Sequence, residues 1–413
     1  MKAIIAGAGM GGLVSALTLA RAGVDVQVYE AVREVQPLGV GINVLPHAMG
    51  VLAGLGLLDE IRPLGVETAE LCYFNRHGQL IWREPRGLAA GYDVPQVSLH
   101  RGRLQLKLLD IVRRQLGADA VRTGLRVDAF EQHRGQTPFV DVELRDRDGD
   151  TIVNDRADIL IGADGIHSAV RAAFHPDEGA PSWSGTVLWR AMSKAPPFLT
   201  GRSMFMAGHR PHKFVAYPIG TIGDDGLCDV NWIAELDRRD VGLADREDWN
   251  RLGDRADFAA RFDDWSFDWL DIPALIASAP AIYEYPMVDR DPLARWTHGR
   301  VTLLGDAAHP MYPIGSNGAS QAILDAQARA DALTSHDSID DALVAYDDER
   351  RPKTAAIVRA NRQHGPEQVM DLAEERAPNG FSRVGDVFDD GELESISTSY
   401  KQIAGFQRPA ICL

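Results

Sequence analysis

The chain has 413 residues, of which 45% are hydrophobic and 25% charged. This composition is typical of a folded globular protein of roughly two or three domains, and it excludes a disordered or fibrous chain. Acidic residues outnumber basic ones by 59 to 43, for a net charge of −16, which disfavours binding to nucleic acid or to an anionic membrane surface. The three cysteines, Cys72, Cys228 and Cys412, have no paired spacing. They therefore argue against a disulfide scaffold or a metal site and favour a reduced, cytoplasmic protein.

The first thirty residues predict the start of a βαβ unit. Residues 3–20 carry no charge, so a signal peptide or a membrane span is an alternative. Four glycines inside the run would weaken an apolar helix, however. The pattern instead predicts a strand at 2–6, a glycine turn, a helix at 12–22 and a strand at 25–30.

The turn between that strand and helix matches G-x-G-x-x-G. It contains Gly7, Gly9, Met10, Gly11 and Gly12. In this motif glycines permit a tight turn, the close approach of a pyrophosphate and close helix packing, while the helix N-terminus favours the phosphates. Glu30 ends the second strand, where its carboxylate can accept from ribose hydroxyls and disfavours a 2′-phosphate. We expect binding of NAD or FAD, with a plain glycine turn as the alternative.

The remaining segments predict two kinds of sheet. A helix is expected at 103–116, a hairpin at 139–144 and 151–154, and buried parallel strands at 158–163 and 300–304. Between about 181 and 284, aromatic residues on short alternating segments predict an antiparallel sheet in a second domain. Helices follow at about 319–333 and from Ser338 to about 362, with a bend expected at Pro352. The last fifty residues are polar, and we expect them to be peripheral.

Two later motifs resemble those of the single-component flavoprotein monooxygenases, the aromatic-ring hydroxylases. Residues 162–171 read GADGIHSAVR, and residues 299–310 read GRVTLLGDAAHP. The resemblance implies that FAD is the dinucleotide, with Glu30 on the adenosine ribose and Asp306 on the ribityl chain. It places Arg101 beside the cofactor, and Asp164 and Gly165 near the pyrophosphate and the reduced nicotinamide. Read without the family, Asp306 is a helix cap and Asp164-Gly165 a turn.

Three further segments, 37–43, 285–292 and 315–322, resemble the phenazine-modifying branch of that family. Salicylate and 3-hydroxybenzoate hydroxylases are more distantly similar. In the loop that begins at 315 this chain has G-S-N-G where G-Q-G is more usual. The resemblance completes the expected cofactor contacts with Gly41, Val127, Gly305, Gly315, Ser316, Asn317, Gly318 and Ala319.

The resemblance also implies the fold and the domains. We expect an α/β protein with a Rossmann-like (GR2-type) FAD-binding domain and an inserted mixed or antiparallel substrate sheet, as in p-hydroxybenzoate hydroxylase. The FAD-binding domain is predicted at 1–71, 97–180 and 285–365, the substrate domain at 72–96 and 181–284, and a C-terminal tail at 366–413.

The implied reaction is hydroxylation of a phenazine carboxylate, a hydroxybenzoate or a related ring through a flavin C4a-hydroperoxide, with or without decarboxylation. The expected partners are a small aromatic substrate, O2 and NADH or NADPH, with no nucleic acid or membrane, in a monomer or homodimer. Because no second glycine motif occurs, the reductant is expected to dock transiently. Alternatives are an FAD-dependent dehydrogenase or reductase and a non-catalytic binder on the same fold.

The candidates on the substrate side come from the second domain and the late loop. The catalytic candidates are Tyr217, Arg190, His212 and Pro313. Arg190 could hold a carboxylate, and His209 or His212 could deprotonate a phenol. Trp189 and His47 are further candidates for facing the ring. For each, a surface or core position is the alternative.

Overall fold

The computed structural model of the chain describes residues 1–37, 39–146, 148–210, 212–240, 242 and 251–405. The strands are β1 (Lys2–Ala6), β2 (Asp25–Glu30), β3 (Gly41–Val44), β4 (Gly65–Thr68), β5 (Glu70–Phe74), β6 (Leu80–Pro85), β7 (Gln96–His100), β8 (Val121–Thr123), β9 (Arg126–His133), β10 (Phe139–Arg145), β11 (Ile152–Ala157), β12 (Ile159–Gly162), β13 (Ser182–Ala195), β14 (Ser203–His209), β15 (His212–Pro218), β16 (Cys228–Asp237), β17 (Ser266–Phe267), β18 (Leu270–Asp271), β19 (Ile282–Asp289) and β20 (Val301–Leu303). The helices are α1 (Met10–Arg21), α2 (Pro46–Gly54), α3 (Leu58–Ile61), α4 (Arg101–Leu116), α5 (Ala169–Phe174), α6 (Ile272–Ala277), α7 (Gly318–Ser335), α8 (Ile339–Arg362), α9 (Gln368–Arg376) and α10 (Glu392–Ala404).

A parallel sheet carries the glycine turn. Its strand order is β20-β12-β1-β2-β8, with Ile5 paired to both Ile161 and Val28. Both faces of its central strands are covered, so β1 and β12 are almost continuously apolar and buried. The helix α1 packs against α4 and α7 on one side. The predicted βαβ unit is confirmed: both strands have the expected bounds, and the helix begins at Met10 instead of Gly12.

A seven-stranded sheet forms the second layer, in the order β19-β13-β16-β15-β14-β5-β6. Its pairs are antiparallel except β14 with β5. Because side chains alternate along a strand, the sheet has two distinct faces. The inner face, with Leu188, Val215, Tyr217 and Ile233, packs against Tyr312 and against residues of α9 and α10. The outer face, with Trp189, Phe214 and Trp232, packs against the aromatic residues Phe258, Phe262 and Trp265.

The seven-stranded sheet extends past the limits predicted for the substrate domain at two places, and the first is the start of β5, at residues 70–71. Residues 285–289, which the sequence assigned to the FAD-binding domain, continue β19 and pair with β13. A small antiparallel sheet has the strand order β3-β7-β4. The strands β9, β10 and β11 form another antiparallel sheet. The predicted hairpin at 139–154 corresponds to β10 and β11.

The C-terminal helices are not peripheral, contrary to the expectation from their polar composition. Met370 of α9 and Leu393 of α10 belong to the core on the inner face of the seven-stranded sheet. Tyr400 of α10 is only 3% exposed and joins a core cluster with Leu45 and Ile357. These helices are amphipathic, so a count of their polar residues hides their buried face.

The long helix α8 passes through Pro352 as one element, and Ser338 caps its start by accepting from the Asp341 N–H at 3.3 Å. Across the described ranges, no helix is both long enough and apolar enough to cross a membrane. Cys72 and Cys228 are buried and free. Cys412 lies outside the described residues.

Candidate active site

Three of the four glycines in the turn have no room for a side chain, whereas Gly9 faces open space. Gly7 has φ +100°, and a Cβ on it would lie 2.5 Å from the carbonyl oxygen of Ala163. A Cβ on Gly11 would meet Leu304, and one on Gly12 would meet the carbonyl oxygen of Gly7. At Gly9, by contrast, no described atom lies within 4 Å of where a Cβ would stand. The turn therefore leaves room for a ligand beside Gly9.

The N-terminus of α1 faces the same turn. The N-cap residue of α1 is Gly9, so no side chain accepts from the first N–H groups of the helix. The first turn contains no acidic residue. The N–H groups of a first helical turn have no partner within the helix, and they favour an anion. Glu30 holds the turn from the other side, accepting from the N–H of Ala8 at 2.7 Å and of Val32 at 3.0 Å. Each carboxylate oxygen retains a further lone pair with which it can accept a ribose hydroxyl.

Asp306 is an exposed carboxylate at the end of β20. It lies in a 3-10 turn, Gly305–Ala307, and does not act as a helix cap. Within the part of the chain that the structure describes, its carboxylate makes no hydrogen bond or ion pair. The turn itself is held by Gly305, which has φ +60° and donates its N–H to Asp325 at 3.1 Å. An acid without a partner on a fixed turn is suited to accept from a ligand hydroxyl.

Asp164, in contrast, uses its carboxylate within the protein. It accepts from the Ser168 hydroxyl and from the N–H of Ala169 at 2.8 Å, at the start of α5. Burial raises the pKa of Asp164. Gly165 follows with φ +80°. The Asp164 carboxylate therefore orders this turn and the start of α5, which agrees with the turn interpretation.

A buried ionic network, which sequence reasoning missed, supports the Gly305 turn. Asp325 of α7 is fully buried and accepts from the His309 ring and from Arg350 Nε at 2.7 Å. Burial raises the pKa of Asp325, but the charges of His309 and Arg350 outweigh it and lower the pKa to about 2. A sequence signal existed: Gln321 and Asp325 are polar residues spaced by one turn on the buried side of an alanine-rich helix.

The loop before α7 packs against Tyr400 of the C-terminal helix α10. Gly315 has φ +67°, and a Cβ on it would lie 2.7 Å from the ring of Tyr400. The side-chain amide of Asn317 donates to the Tyr400 hydroxyl at 2.8 Å. Ser316 has φ +58° and accepts from Asn43 Nδ2 of β3 at 3.4 Å. The glycine at 315 is therefore required by packing, and the tyrosine fixes the loop.

The N-terminus of α7 begins where this loop ends. A Cβ on Gly318 would have no described atom within 4 Å, and the first turn of α7 contains no acidic residue. Ala319 is half-buried, and Pro313 is exposed. The helix N-terminus is thus open to a ligand and favours negative charge there.

Two of the catalytic candidates, Arg190 and Tyr217, lie on the inner face of the seven-stranded sheet, next to Gly41 of β3. Arg190 Nη2 donates to the carbonyl oxygen of Gly41 at 2.9 Å, and its guanidinium lies 5.9 Å from the ring centroid of Tyr285. A Cβ on Gly41 would lie 2.9 Å from the ring of Tyr217. Burial raises the pKa of Tyr217 to about 12, with Arg190 opposing the rise. Tyr217 is therefore protonated at neutral pH and can donate a hydrogen bond.

His212 and Trp189 do not lie on the same face of the sheet as Tyr217. His212 and Trp189 lie on the outer face, where the His212 ring is 4.6 Å from that of Phe262 and Trp189 stacks on Phe258 at 5.0 Å. Burial lowers the pKa of His212 to about 4. Because β15 alternates, His212 and Tyr217 point to opposite sides of the sheet. We therefore withdraw His212 as the base and Trp189 as a pocket residue.

Three other predicted positions are placed as follows. His209 ends β14, with its Nδ1 2.6 Å from the carbonyl oxygen of Arg210. The pKa of His47 is lowered to about 4 by burial and by Arg350. Arg101 is exposed at the first position of α4, where its N–H donates to the carbonyl oxygen of Val40 at 3.0 Å.

Val127 is buried with its side chain in a hydrophobic core, so only its backbone can contact a cofactor. The open side of Gly9, the unengaged carboxylate of Asp306 and the open N-termini of α1 and α7 together fit a flavin dinucleotide. These are the groups that a pyrophosphate, a ribityl chain and an anionic ring would require.

Comparisons with known proteins agree with this geometry. A family model described as an FAD binding domain matches residues 1–261 and 274–361. A phenazine 1,6-dicarboxylic acid hydroxylase, PhzS, of Lysobacter antibioticus is 45% identical over 404 residues, which is 97% of this chain and 96% of that protein. Klebsiella pneumoniae HpxO complexed with FAD and uric acid superimposes with a TM-score of 0.72 at 25% identity, covering 98% of this chain and 93% of that one. A salicylate hydroxylase substrate complex, at 22% identity and a TM-score of 0.71, covers 100% and 99% of the two chains and shows the same fold.

The protein is therefore a flavoprotein monooxygenase with the fold of p-hydroxybenzoate hydroxylase. The chain belongs to the FAD-binding-domain family, and it is an FAD-dependent aromatic hydroxylase that uses NAD(P)H and O2. Because these relatives are hydroxylases, they favour oxygen insertion over the alternatives of an FAD-dependent dehydrogenase or a non-catalytic binder.

Proposed function

We propose that this enzyme hydroxylates a phenazine carboxylate. The observation that carries the proposal is the 45% identity to a phenazine dicarboxylic acid hydroxylase over 97% of the chain. In the simple reaction, one ring C–H, O2, NAD(P)H and a proton give a ring hydroxyl, NAD(P)+ and water. If attack falls on the carbon that bears the carboxylate, the bond between that ring carbon and the carboxylate carbon breaks and CO2 leaves. A second proton is then consumed.

The proposed cofactor site assigns a role to each open group. The N–H groups at the start of α1 bind the pyrophosphate beside Gly9, and Glu30 accepts from the adenosine ribose. Asp306 accepts from the ribityl chain, and the start of α7 at Gly318 stabilises negative charge on the ring. FAD, when bound, accepts a hydride from NAD(P)H and activates O2 to supply one oxygen atom.

The proposed ring pocket lies between the inner face and the loop at 313–318. Its walls are apolar, with Leu188, Ile233 and Tyr285 in one continuous buried cluster, so they exclude water from a bound ring. Arg190 supplies the positive charge for a carboxylate, and Tyr217 supplies a protonated hydroxyl. The structure offers no charged base at Tyr217, since the pKa of this residue is about 12.

The proposal extends to the organisation of the enzyme. The two sheets correspond to an FAD-binding and a substrate domain, and we propose a cytoplasmic monomer or homodimer. The free buried thiols of Cys72 and Cys228 support a reduced compartment.

The proposed function is tested with purified enzyme and a panel of rings. NADH or NADPH consumption, O2 uptake, H2O2 and product mass are measured together with phenazine-1-carboxylate, phenazine-1,6-dicarboxylate, 3-hydroxybenzoate and salicylate. We expect slow consumption without a ring and fast consumption with a phenazine carboxylate, together with a product that has gained one oxygen or exchanged CO2 for a hydroxyl. The phenazine assignment would be refuted if only the hydroxybenzoates were converted. It would also be refuted if every ring gave H2O2 and no hydroxylated product.

A further inference from the structure

Two buried hydrogen-bond donors on the inner face have no acceptor within the described ranges. They are Asn231 Nδ2 and Arg190 Nε. Asn231 is fully buried, at 0% exposure. Buried donors in native proteins almost always have a partner, because an unpaired one destabilises the fold. A pair of such donors at one place therefore indicates a ligand that accepts.

The orientation of the Asn231 amide follows from the backbone. Gly41 N–H lies 2.7 Å from Asn231 Oδ1, and a backbone N–H can only donate. The atom facing Gly41 must therefore be the amide oxygen, which leaves the NH2 group as the unpaired one. The amide is thus fixed at one end and available at the other.

Both donors are anchored to the same glycine. The N–H of Gly41 binds Asn231, and its carbonyl oxygen binds Arg190 Nη2 at 2.9 Å. A Cβ on Gly41 would lie 2.6 Å from Asn231 Cβ, so β3 is pressed directly against the inner face here. Because β3 also contacts Ser316 through Asn43, the donors lie where the proposed ring pocket meets the proposed flavin loop.

We infer that Asn231 and Arg190 form a donor pair that recognises the acceptor edge of an aromatic substrate. The inference rests on the proposed function, and it adds Asn231 as a residue that determines specificity. The shared chemistry of the ligand is a hydrogen-bond acceptor; a phenazine-1-carboxylate offers a carboxylate oxygen and, beside it, a ring nitrogen. A site built to donate rejects a ring that lacks the acceptor, because its own polar groups then stay unpaired.

The test uses Asn231→Asp, which keeps an oxygen for Gly41 N–H while replacing the NH2 donor by an anionic acceptor. Ligand binding to the FAD-loaded enzyme is measured by titrating the flavin absorption spectrum, with FAD content measured separately. We expect phenazine-1-carboxylate to bind roughly tenfold to a hundredfold more weakly, as for a lost hydrogen bond to a charged group. The matched control is Asn154→Asp, at an exposed position of β11, which should bind as the wild type does.

Three other ligands and a second variant sharpen the result. Phenazine keeps the ring nitrogens and 1-naphthoate keeps the carboxylate, so the one whose binding falls in Asn231→Asp identifies the acceptor. Phenazine-1-carboxamide can donate to the new carboxylate and should lose less affinity than phenazine-1-carboxylate. Arg190→Lys keeps the charge but removes Nε, and should also weaken binding of the carboxylate.

The outcomes separate the two proposals. If the wild type binds no phenazine but binds a hydroxybenzoate, the proposed substrate is wrong, and the same variants test the donor pair on that ring. If the wild type binds phenazine-1-carboxylate and either FAD-loaded Asn231→Asp or Arg190→Lys binds it equally well, the donor pair is refuted. If Asn231→Asp loses FAD, Arg190→Lys alone decides.

Discussion

Removing the Tyr400 hydroxyl should loosen the loop before α7. This hydroxyl accepts from Asn317 Nδ2 and donates to Asn361 Oδ1, both at 2.8 Å, and both asparagines are fully buried. Tyr400→Phe keeps the ring against Gly315 and leaves two buried amide atoms short of a partner. Each such group costs about 1–3 kcal/mol, and Asn317 retains a weaker bond to the Gly315 carbonyl oxygen at 3.3 Å. We expect a loss of about 2–4 kcal/mol in the free energy of unfolding.

Urea unfolding followed by tryptophan fluorescence measures this loss, and the rate of FAD release measures its effect on the loop. The control is Ser399→Ala on the same helix, because that hydroxyl is exposed and only contacts the carbonyl oxygen of Ser395 at 2.8 Å. Tyr400→Phe should also release FAD faster, since the loop carries part of the proposed flavin site. If Tyr400→Phe unfolds and releases FAD like Ser399→Ala, the C-terminal helix does not support the loop and the argument is wrong.

Two further substitutions test the Gly305 turn. Asp306→Ala should weaken FAD binding roughly tenfold to a hundredfold, because it removes a hydrogen bond to a charged acceptor worth about 1.5–3 kcal/mol. The free energy of unfolding of the FAD-free protein should not change, because the side chain is exposed. Equal FAD affinity in equilibrium dialysis would contradict the ribityl role. Asp325→Asn should lower the free energy of unfolding by about 3–5 kcal/mol at pH 7, because it leaves Arg350 buried without its counter-ion. Since the pKa of Asp325 is lowered from 3.8 to about 2, its contribution is present above pH 4 and is lost as the pH falls from 4 through 2. Urea unfolding at several pH values should therefore show the wild type and Asp325→Asn converging in acid, and a constant difference would refute the assignment.

The cofactor half of the molecule could be predicted from sequence because its signals are local. The strand at Lys2–Ala6, the glycine turn and Glu30 follow one another within thirty residues, and the turn has few packing solutions. The buried strand at Ile159–Gly162 is also marked by its continuous apolar run. The signals are local, although the glycines of the turn also pack against the distant residues Ala163 and Leu304.

The substrate half depends on contacts between distant segments, and sequence alone missed several of them. Asn231 meets Gly41 across 190 positions, and no motif marks either partner. His212 was a reasonable base by residue type, but a shift of one position on β15 sets which face it occupies. Tyr400 lies on a helix whose composition is polar, so its contact with Gly315 was not visible before the helices were packed.

The interleaving of the two sheets also sets the order in which the molecule can be completed. The parallel sheet needs β20, at Val301–Leu303, to pair with β12, and five of the seven strands of the other sheet, β13 to β16 and β19, are synthesised between them. Within that sheet, β5 pairs in parallel with β14, so Cys72 must find Phe205 across a long loop whose closure is entropically costly. A nascent chain therefore cannot finish its nucleotide-binding sheet first and add the second layer afterwards. For the same reason neither sheet corresponds to one continuous segment of the chain, so no single proteolytic cut can separate the two.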